Sequence, residues 1–373
     1  MIYISFLEPL AGVPEDLVNY FHFVAEEVRA GLASLGLRSL DELVGRADLL
    51  RQRSTALQKT DGLDLSFLTQ YAGETGSSLK RIEQPAHDNG PQLDDEILAD
   101  PAVQAAIENG GSVTKDVEIV NVDRSALARV AGAVALKGGD RGFKGTIELN
   151  IRGSAGQSFG CFLAGGMKIK LTGEANDYVG KGMAGGEITI VPPEESTFAH
   201  EKSSIVGNTC LYGATGGKLF VSGRAGERFA VRNSMAEAVI EGTGDHCCEY
   251  MTGGVIVALG TVGRNVAAGM TGGIGYFYDN IGDFPDRVNG EIVTTQRIQT
   301  EAGKGQLKAL IEEHVAKTGS ETGKAILGNW DVESQKFWQL VPPSEANTPE
   351  ASQDAEAAMA TGTVSKATAP AAA

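Results

Sequence analysis

The sequence predicts a mainly β protein: a right-handed parallel β-helix with an α-helical segment before it and a helix after it. Three observations carry this expectation. Glycine is concentrated, with 27 of the 49 glycines between Gly153 and Gly282. Gly-Gly pairs recur at 165/166, 185/186, 216/217, 253/254 and 272/273, most of them followed by a short β-rich run such as EITIV, KLFV or VIVAL. The gaps between pairs, 20, 31, 37 and 19 residues, reduce to a unit of roughly 17 to 20. The gap of 31 holds the polar insertion Pro192–Lys202, and the gap of 37 holds a further copy at Met235–Gly242 in which Glu237 and Ala238 replace the pair. A unit this short cannot bury its own apolar face, whereas stacked copies can. The glycine pair then supplies a corner of positive φ and close backbone approach, with Ile188, Ile190, Leu219, Val221, Val255 and Val257 pointing inward. A phosphate-cradling loop is the other reading of a glycine-rich motif, and five copies at regular spacing favour architecture.

Taken in order, residues 14–46 read as helical, because Leu17, Phe21, Val24, Val28, Leu32 and Leu35 share one face. Pro14, followed by Glu15 and Asp16, suits a first turn, and Gly36 ends the helix. SLDE at Ser39–Glu42 is a capping box for a second short helix. Residues 47–92 carry turn residues and weak periodicity. Helices are expected at about 93–109 and 125–137, with a strand near 117–122 between them. After the repeats, Leu307, Leu310, Ile311 and Val315 mark an amphipathic helix that ends near Gly319 as a cap or clamp. From Pro342 the composition offers little to bury and predicts disorder. The resulting division is 1–60 helical, 61–144 a mixed lead-in, 145–300 the β-helix, 301–341 a helical cap and 342–373 a disordered tail.

At 373 residues the chain can bury a sizeable core. Its net charge of −16 argues against nucleic acid and anionic membrane as partners. No apolar run reaches bilayer length, and the N-terminus lacks the basic lead and cleavage site of a signal peptide. Cys161, Cys210, Cys247 and Cys248 form no Cys-x-x-Cys pair, so free thiols in a reducing compartment are expected.

The candidate sites are few. DHCCE at Asp245–Glu249 packs one histidine, two cysteines and two acids into five residues. Adjacent cysteines on a strand point to opposite faces, which favours a corner with a small buried thiol over a metal site. His200 lies in the polar insertion, while His22 and His314 lie on expected helices as surface or helix-face residues. Arg224, Arg228 and Arg232 could grip an anion, but outward charges on successive coils fit their spacing better. No catalytic, cofactor-binding or metal residue is assigned.

The wording GSAGQSFGCFL, GEANDYVGKGMAGGEITIVPP and the run from IVGNTC to GMTGG closely resembles the C-terminal glycine-rich β-helix domain of glutamate synthase. The resemblance extends upstream through GVPEDLVNYFHFVAEEVRAG and downstream to FWQLVPPSE, from about residue 12 to residue 350. GDHCCEY and NWDVESQKFWQLVPPSE look more like the ferredoxin-dependent form of cyanobacteria and plastids. The resemblance implies an enzyme that releases ammonia from glutamine, tunnels it to 2-oxoglutarate and reduces the imine to glutamate through FMN, with electrons from ferredoxin by way of a 3Fe-4S cluster. It also implies that the glutaminase nucleophile, the FMN site and the cluster cysteines lie upstream, since MIYISFLEPLA stands where the cluster cysteines would be. Residues 1–60 would then be the last part of the FMN-binding barrel and the repeats an interdomain spacer. The chain is expected to be a fragment, inactive alone, whose partners are the upstream glutaminase and barrel parts, and ferredoxin for the complete enzyme. The expected location is the cytoplasm of a cyanobacterium or the chloroplast stroma. Two rival readings stand beside it. One is a β-helix polysaccharide lyase or hydrolase, against which the scattered acids and an aromatic content of 6% weigh. The other is a protein like the glycine-rich β-helix component of formylmethanofuran dehydrogenase.

Overall fold

A proline fixes φ where a helix begins, and Pro14 opens α1 (Pro14–Ser34), whose first turn is closed by the Val13 N–H donating to the Asp16 carboxylate at 3.0 Å. The structure, a computed structural model, describes residues 13–360 apart from 56, 76–78, 82, 84, 85 and 87–89. The N-terminal residues read for a signal peptide, and the tail beyond residue 360, lie outside the described residues. The chain divides into two compact units, Met1–Asp88 and Asn89–Ala373. In the first, α1 is followed by α2 (Leu40–Leu43), capped by the Ser39 hydroxyl accepting from the Glu42 N–H. Short 3-10 turns then replace regular structure, as the weak periodicity predicts.

The second unit begins with α3 (Leu93–Ala99) and α4 (Pro101–Asn109), one expected helix split in two because Pro101 cannot continue the first. Strand β1 (Ser112–Ile119) and helix α5 (Ala128–Gly142) follow. The buried Asp94 carboxylate accepts the N–H groups of Leu127 and Arg129, satisfying orphan donors at the start of α5. Then come β2 (Thr146–Ala155), β3 (Met167–Ala175), β4 (Ala184–Val191), β5 (Gly216–Arg224), β6 (Glu237–Gly242), β7 (Thr252–Ala258), β8 (Gly272–Tyr278) and β9 (Thr294–Arg297). The chain continues through α6 (Glu301–Thr318), α7 (Glu321–Gly328), α8 (Trp330–Glu333), β10 (Phe337–Val341) and α9 (Gln353–Ala360).

The expected right-handed parallel β-helix is corrected. The described residues form a mixed α/β protein, 35% helical and 23% strand, with one ten-stranded, mostly parallel sheet that does not close. Strand order is β1-β2-β3-β4-β5-β6-β7-β8-β10-β9, with β1 to β8 parallel and β10 antiparallel to both neighbours. Each repeat contributes one strand to this single sheet and fills its remaining length with tight turns, so the coil of several strands that a solenoid needs is not built. The strand β1, expected about five residues later and counted as lead-in, belongs to the same sheet.

The two faces of the sheet bury different cores. One faces a continuous apolar cluster that includes Ile147, Ile169, Ile188, Leu219, Ala238 and Ile256. On the other face Phe220, Val239, Val255, Val257 and Tyr276 pack against Leu307, Leu310 and Ile311 of α6. Each large apolar side chain so buried is worth about 2 kcal/mol. Val255 and Val257 were expected beside Ile188, which stands two residues after its glycine pair; Val255 stands only one residue after its own, in line with Glu187 and Lys218, so Ile256 takes the inner place and the valines turn to α6. A slip of one residue exchanges the two faces of a strand.

Gly319, at φ +72°, ends α6 where expected. The segment from Pro342, expected to be disordered, continues in order to residue 360: Ala351 is buried, and the Gln339 amide and Thr300 hydroxyl donate to the Glu350 carbonyl at 2.9 Å each. Backbone carbonyls, which composition does not reveal, hold it.

Gly254 tests the corners. It sits at φ +85°, and a Cβ there would lie 2.2 Å from the Ala236 carbonyl oxygen and 2.7 Å from Asn233 Nδ2. Gly254→Val should destabilise by about 3 kcal/mol or more, from strain and overpacking together. Gly305→Ala, in open space on α6, should stabilise by about 0.5–1 kcal/mol. Urea midpoints measure both, and equal midpoints would refute the account of the corner.

Candidate functional site

Left-handed backbone is costly for residues with a Cβ, yet the turn before each of the strands β3 to β8 uses it three times at alternate residues. The sets are Ser158/Gly160/Phe162, Tyr178/Gly180/Gly182, Thr209/Leu211/Gly213, Arg228/Ala230/Arg232, His246/Cys248/Tyr250 and Asn265/Ala267/Gly269, all with φ between 54° and 67°. The alternation aims successive N–H groups in opposite directions. Arg228 and Arg232 donate forward to the Asp245 and Glu249 carbonyls at 2.8 and 2.9 Å, and Ala230 donates backward to the Cys210 carbonyl at 2.9 Å. Consecutive corners are thereby linked by backbone in both directions.

A side-chain ladder runs beside this one. Asp177 Oδ1 accepts the Asn208 N–H (2.7 Å), Asn208 Oδ1 that of Glu227 (2.7 Å), Glu227 Oε2 that of Asp245 (2.8 Å) and Asp245 Oδ1 that of Arg264 (2.7 Å). The Arg264 N–H and guanidinium hold the Asp245 carboxyl below its usual range. The residue before each later rung is glycine because the accepting oxygen approaches so closely: a Cβ at Gly207 or Gly263 would sit 2.2 Å from the Asp177 or Asp245 oxygen. Sequence reasoning followed the Gly-Gly pairs and missed this ladder. Its signal was present as Gly207-Asn208, Gly226-Glu227, Gly244-Asp245 and Gly263-Arg264.

DHCCE is one of these corners. Cys247 and Cys248 were expected on opposite faces if on a strand; the left-handed Cys248 instead brings both thiols inside, 3.7 Å apart and fully buried. Cys248 is pushed well up by the neighbouring Cys247 thiol and by burial, and burial raises Cys210 to about 12. Cys161 is buried and raised likewise. Among the described residues, no three His, Cys, Asp or Glu side chains come together as a metal-binding group.

Arg224, Arg228 and Arg232 lie in a single repeat and not on successive ones. Arg224 is half-buried, which lowers its pKa, and donates to the Thr261 hydroxyl and the Thr243 carbonyl. Arg228 pairs with Glu249 at 2.9 Å, and Arg232 lies over the Tyr250 ring. His22 is exposed on α1 and His200 sits in a 3-10 turn of the insertion. His314, expected on the surface or a helix face, is fully buried: Nε2 meets Glu241 Oε1 at 3.2 Å, and the Ser320 hydroxyl donates to the same oxygen. Burial pushes the Glu241 carboxyl up, but hydrogen bonds with His314, Ser320 and Thr322 outweigh it and leave the carboxyl below its usual range. This polar cluster fastens α6 and α7 to β6. A surface cleft of about 440 Å³ opens on the glycine corners, where Arg141 donates to the carbonyls of Ala184 (3.1 Å) and Thr215 (2.6 Å). The arrangement as a whole keeps repeats in register, with nucleophilic groups inside and carboxylates used as backbone acceptors.

The chain is similar to known proteins over most of its length. Residues 94–343 match the family described as GXGXG motif. The chain is 61% identical over 342 residues to ferredoxin-dependent glutamate synthase 1, chloroplastic/mitochondrial, of Arabidopsis thaliana, covering 91% of this chain and 21% of that protein. It is 58% identical over 344 residues to ferredoxin-dependent glutamate synthase 2 of Synechocystis, covering 92% and 22%. The Cyanidium caldarium ferredoxin-dependent glutamate synthase is 49% identical over 347 residues, covering 91% and 22%. The chain thus spans about a fifth of the length of these relatives. No described helix is long and apolar enough to cross a membrane.

Two outcomes are expected. A thiol reagent should modify the four cysteines only after unfolding, and a fast phase on the native chain would contradict their burial. A carboxyl whose folded pKa is depressed adds stability above its unfolded value and loses it as pH falls through the folded one. Glu241→Gln should therefore flatten the acid limb: between pH 7 and roughly 3 the wild type should lose more stability than the variant in urea melts. Parallel losses would show that Glu241 carries no linkage.

Proposed function

Because the chain belongs to the GXGXG-motif family, as a glutamate synthase module, we propose that it is the structural and interdomain part of a ferredoxin-dependent glutamate synthase. The complete enzyme would convert glutamine, 2-oxoglutarate and reduced ferredoxin into two glutamates. The observation that supports a module of something larger is α1. None of its 21 residues is buried, and Leu17, Phe21 and Phe23 are 60%, 61% and 69% exposed. An apolar stripe of this kind, left in water, forgoes about 2 kcal/mol per large side chain, which a covering surface recovers. In this reading residues 1–60 complete the FMN-binding barrel and the upstream parts cover the stripe. The doubly bonded corners of the second unit would hold the catalytic parts at fixed separation, as a tunnel for ammonia requires.

FMN and the 3Fe-4S cluster would be held by the remaining four-fifths of the polypeptide. The residues here do not fit a cluster: the thiols are buried in separate corners, apart from the adjacent pair, and their raised pKa values disfavour the thiolate a ligand must supply. No step of the reaction is therefore assigned to this chain. A cyanobacterial cytoplasm or chloroplast stroma fits the relatives' names. The polysaccharide-cleaving and formylmethanofuran-type readings are not favoured, since the relatives are glutamate synthases.

The test is a chimera in which this chain replaces the corresponding part of the Synechocystis enzyme, 58% identical. It should form glutamate from glutamine, 2-oxoglutarate and reduced ferredoxin, and the isolated chain should not. Leu17→Glu with Phe21→Glu should abolish soluble, active chimera while leaving the second unit folded. Glutamate formation by the chain alone, or a folded chimera without activity, would sink the proposal.

A further inference from the structure

Glycine adopts left-handed backbone at no steric cost, and it fills the third position of the corner in three of six repeats, as Gly182, Gly213 and Gly269. The other three carry Phe162, Arg232 and Tyr250 at φ 58°, 55° and 54°. Bulky side chains there are strained; the Phe162 and Tyr250 rings lie against Gly182 and Gly269 of the following corners, and this contact still leaves Phe162 60% and Tyr250 41% exposed, with Arg232 exposed as well. Between Phe162 and Arg232 lie Lys181 and Tyr212, one residue earlier in their corners. Neighbouring hydrogen-bonded strands are about 4.8 Å apart, so the strip from Phe162 to Tyr250 runs for about 20 Å.

Its charge is as unusual as its backbone. On a chain of net charge −16, Lys181 and Arg232 make no ion pair among the described residues. Aromatic rings support them instead: Lys181 Nζ is 5.5 Å from the Tyr178 centroid and 6.0 Å from that of Tyr212, and Arg232 is 5.8 Å from that of Tyr250. Arg228, in the same corner as Arg232, is by contrast neutralised by Glu249. Exposed aromatic rings and arginine, held rigid and uncompensated, have the composition of an interface hot spot.

We propose that this strip is an interaction surface for a carboxylate-bearing loop of the polypeptide that lies outside this chain. The inference rests on the reading of the chain as a module of a longer protein, relatives of which are about five times its matched length. Carboxylates would replace the missing ion-pair partners of Lys181 and Arg232, and apolar atoms of the loop would cover Phe162 and Tyr250. Contact would then recover the free energy that the strained positions withhold from the isolated chain.

The chimera with the Synechocystis enzyme and the free chain are compared by hydroxyl-radical footprinting and carbodiimide coupling. Phe162 and Tyr250 should be oxidised several-fold more slowly in the chimera, and Lys181 should couple to an Asp or Glu outside this chain. Protection of Leu17 and Phe21 without protection of the strip would overturn this inference and leave the proposed function standing. Protection of neither would overturn both. A second measurement needs no chimera: Phe162→Gly and Tyr250→Gly in the free chain should each shift its melting temperature by no more than about 2 °C, since relief of the left-handed backbone offsets the lost ring contact with Gly182 or Gly269. A clear fall would show that the rings serve the fold, and the proposal would be lost.

Discussion

Backbone hydrogen bonds made alternately forward and backward at the corners are the constraint on which the rest of the second unit depends. A parallel sheet alone leaves its connections free to differ in length and course. Here the connections themselves are paired: Ala230 donates back to Cys210 while Arg228 and Arg232 donate forward to Asp245 and Glu249. Only alternation of left-handed residues with their neighbours allows this, and each corner accepts that strain, at non-glycine residues in all six cases. Once corners are locked, strand register follows, and Ile188, Leu219, Ala238 and Ile256 fall in line across four strands.

Polar groups reinforce the same geometry where water would otherwise compete. The ladder from Asp177 to Arg264 uses side-chain oxygens to satisfy backbone N–H groups of the next repeat, so carboxylates that resemble catalytic acids in sequence are spent on architecture. The His314 and Glu241 pair does likewise at the second core. A buried polar pair is weak evidence of stabilisation, because desolvation opposes attraction, but it specifies where α6 sits. Rigid corners, a seated helix and an uncovered α1 fit a part whose task is to hold others in place.

Much of this was legible from residue order. Pro14 and the apolar stripe located α1, SLDE located α2, and Leu307, Leu310 and Ile311 located α6 with its buried face. The strands after the glycine pairs were legible too, since β-branched runs bounded by glycine have few alternatives. The architecture was not. Repeat length showed that copies must pack together, but it did not count strands per repeat, and the answer was one strand in a single sheet joined by β1 and β10. The tail from Pro342 was misjudged for a related reason: its order to residue 360 comes from backbone and amide partners such as Glu350 with Gln339, which hydrophobicity does not report.

By itself, then, the sequence determined local conformation, the class of residue at each corner and the glutamate synthase kinship, because propensity, spacing and wording are properties of the chain in order. Tertiary structure alone decided what each singled-out residue does. Cys247 and Cys248 share an interior because of one left-handed residue, and Val255 and Val257 face α6 because Val255 pairs with Glu237 on the line of Glu187 and Lys218. His314 is buried because Glu241, 73 residues away in sequence, waits beneath it. Orientation at such positions depends on which distant groups arrive alongside, and no local pattern encodes that arrival.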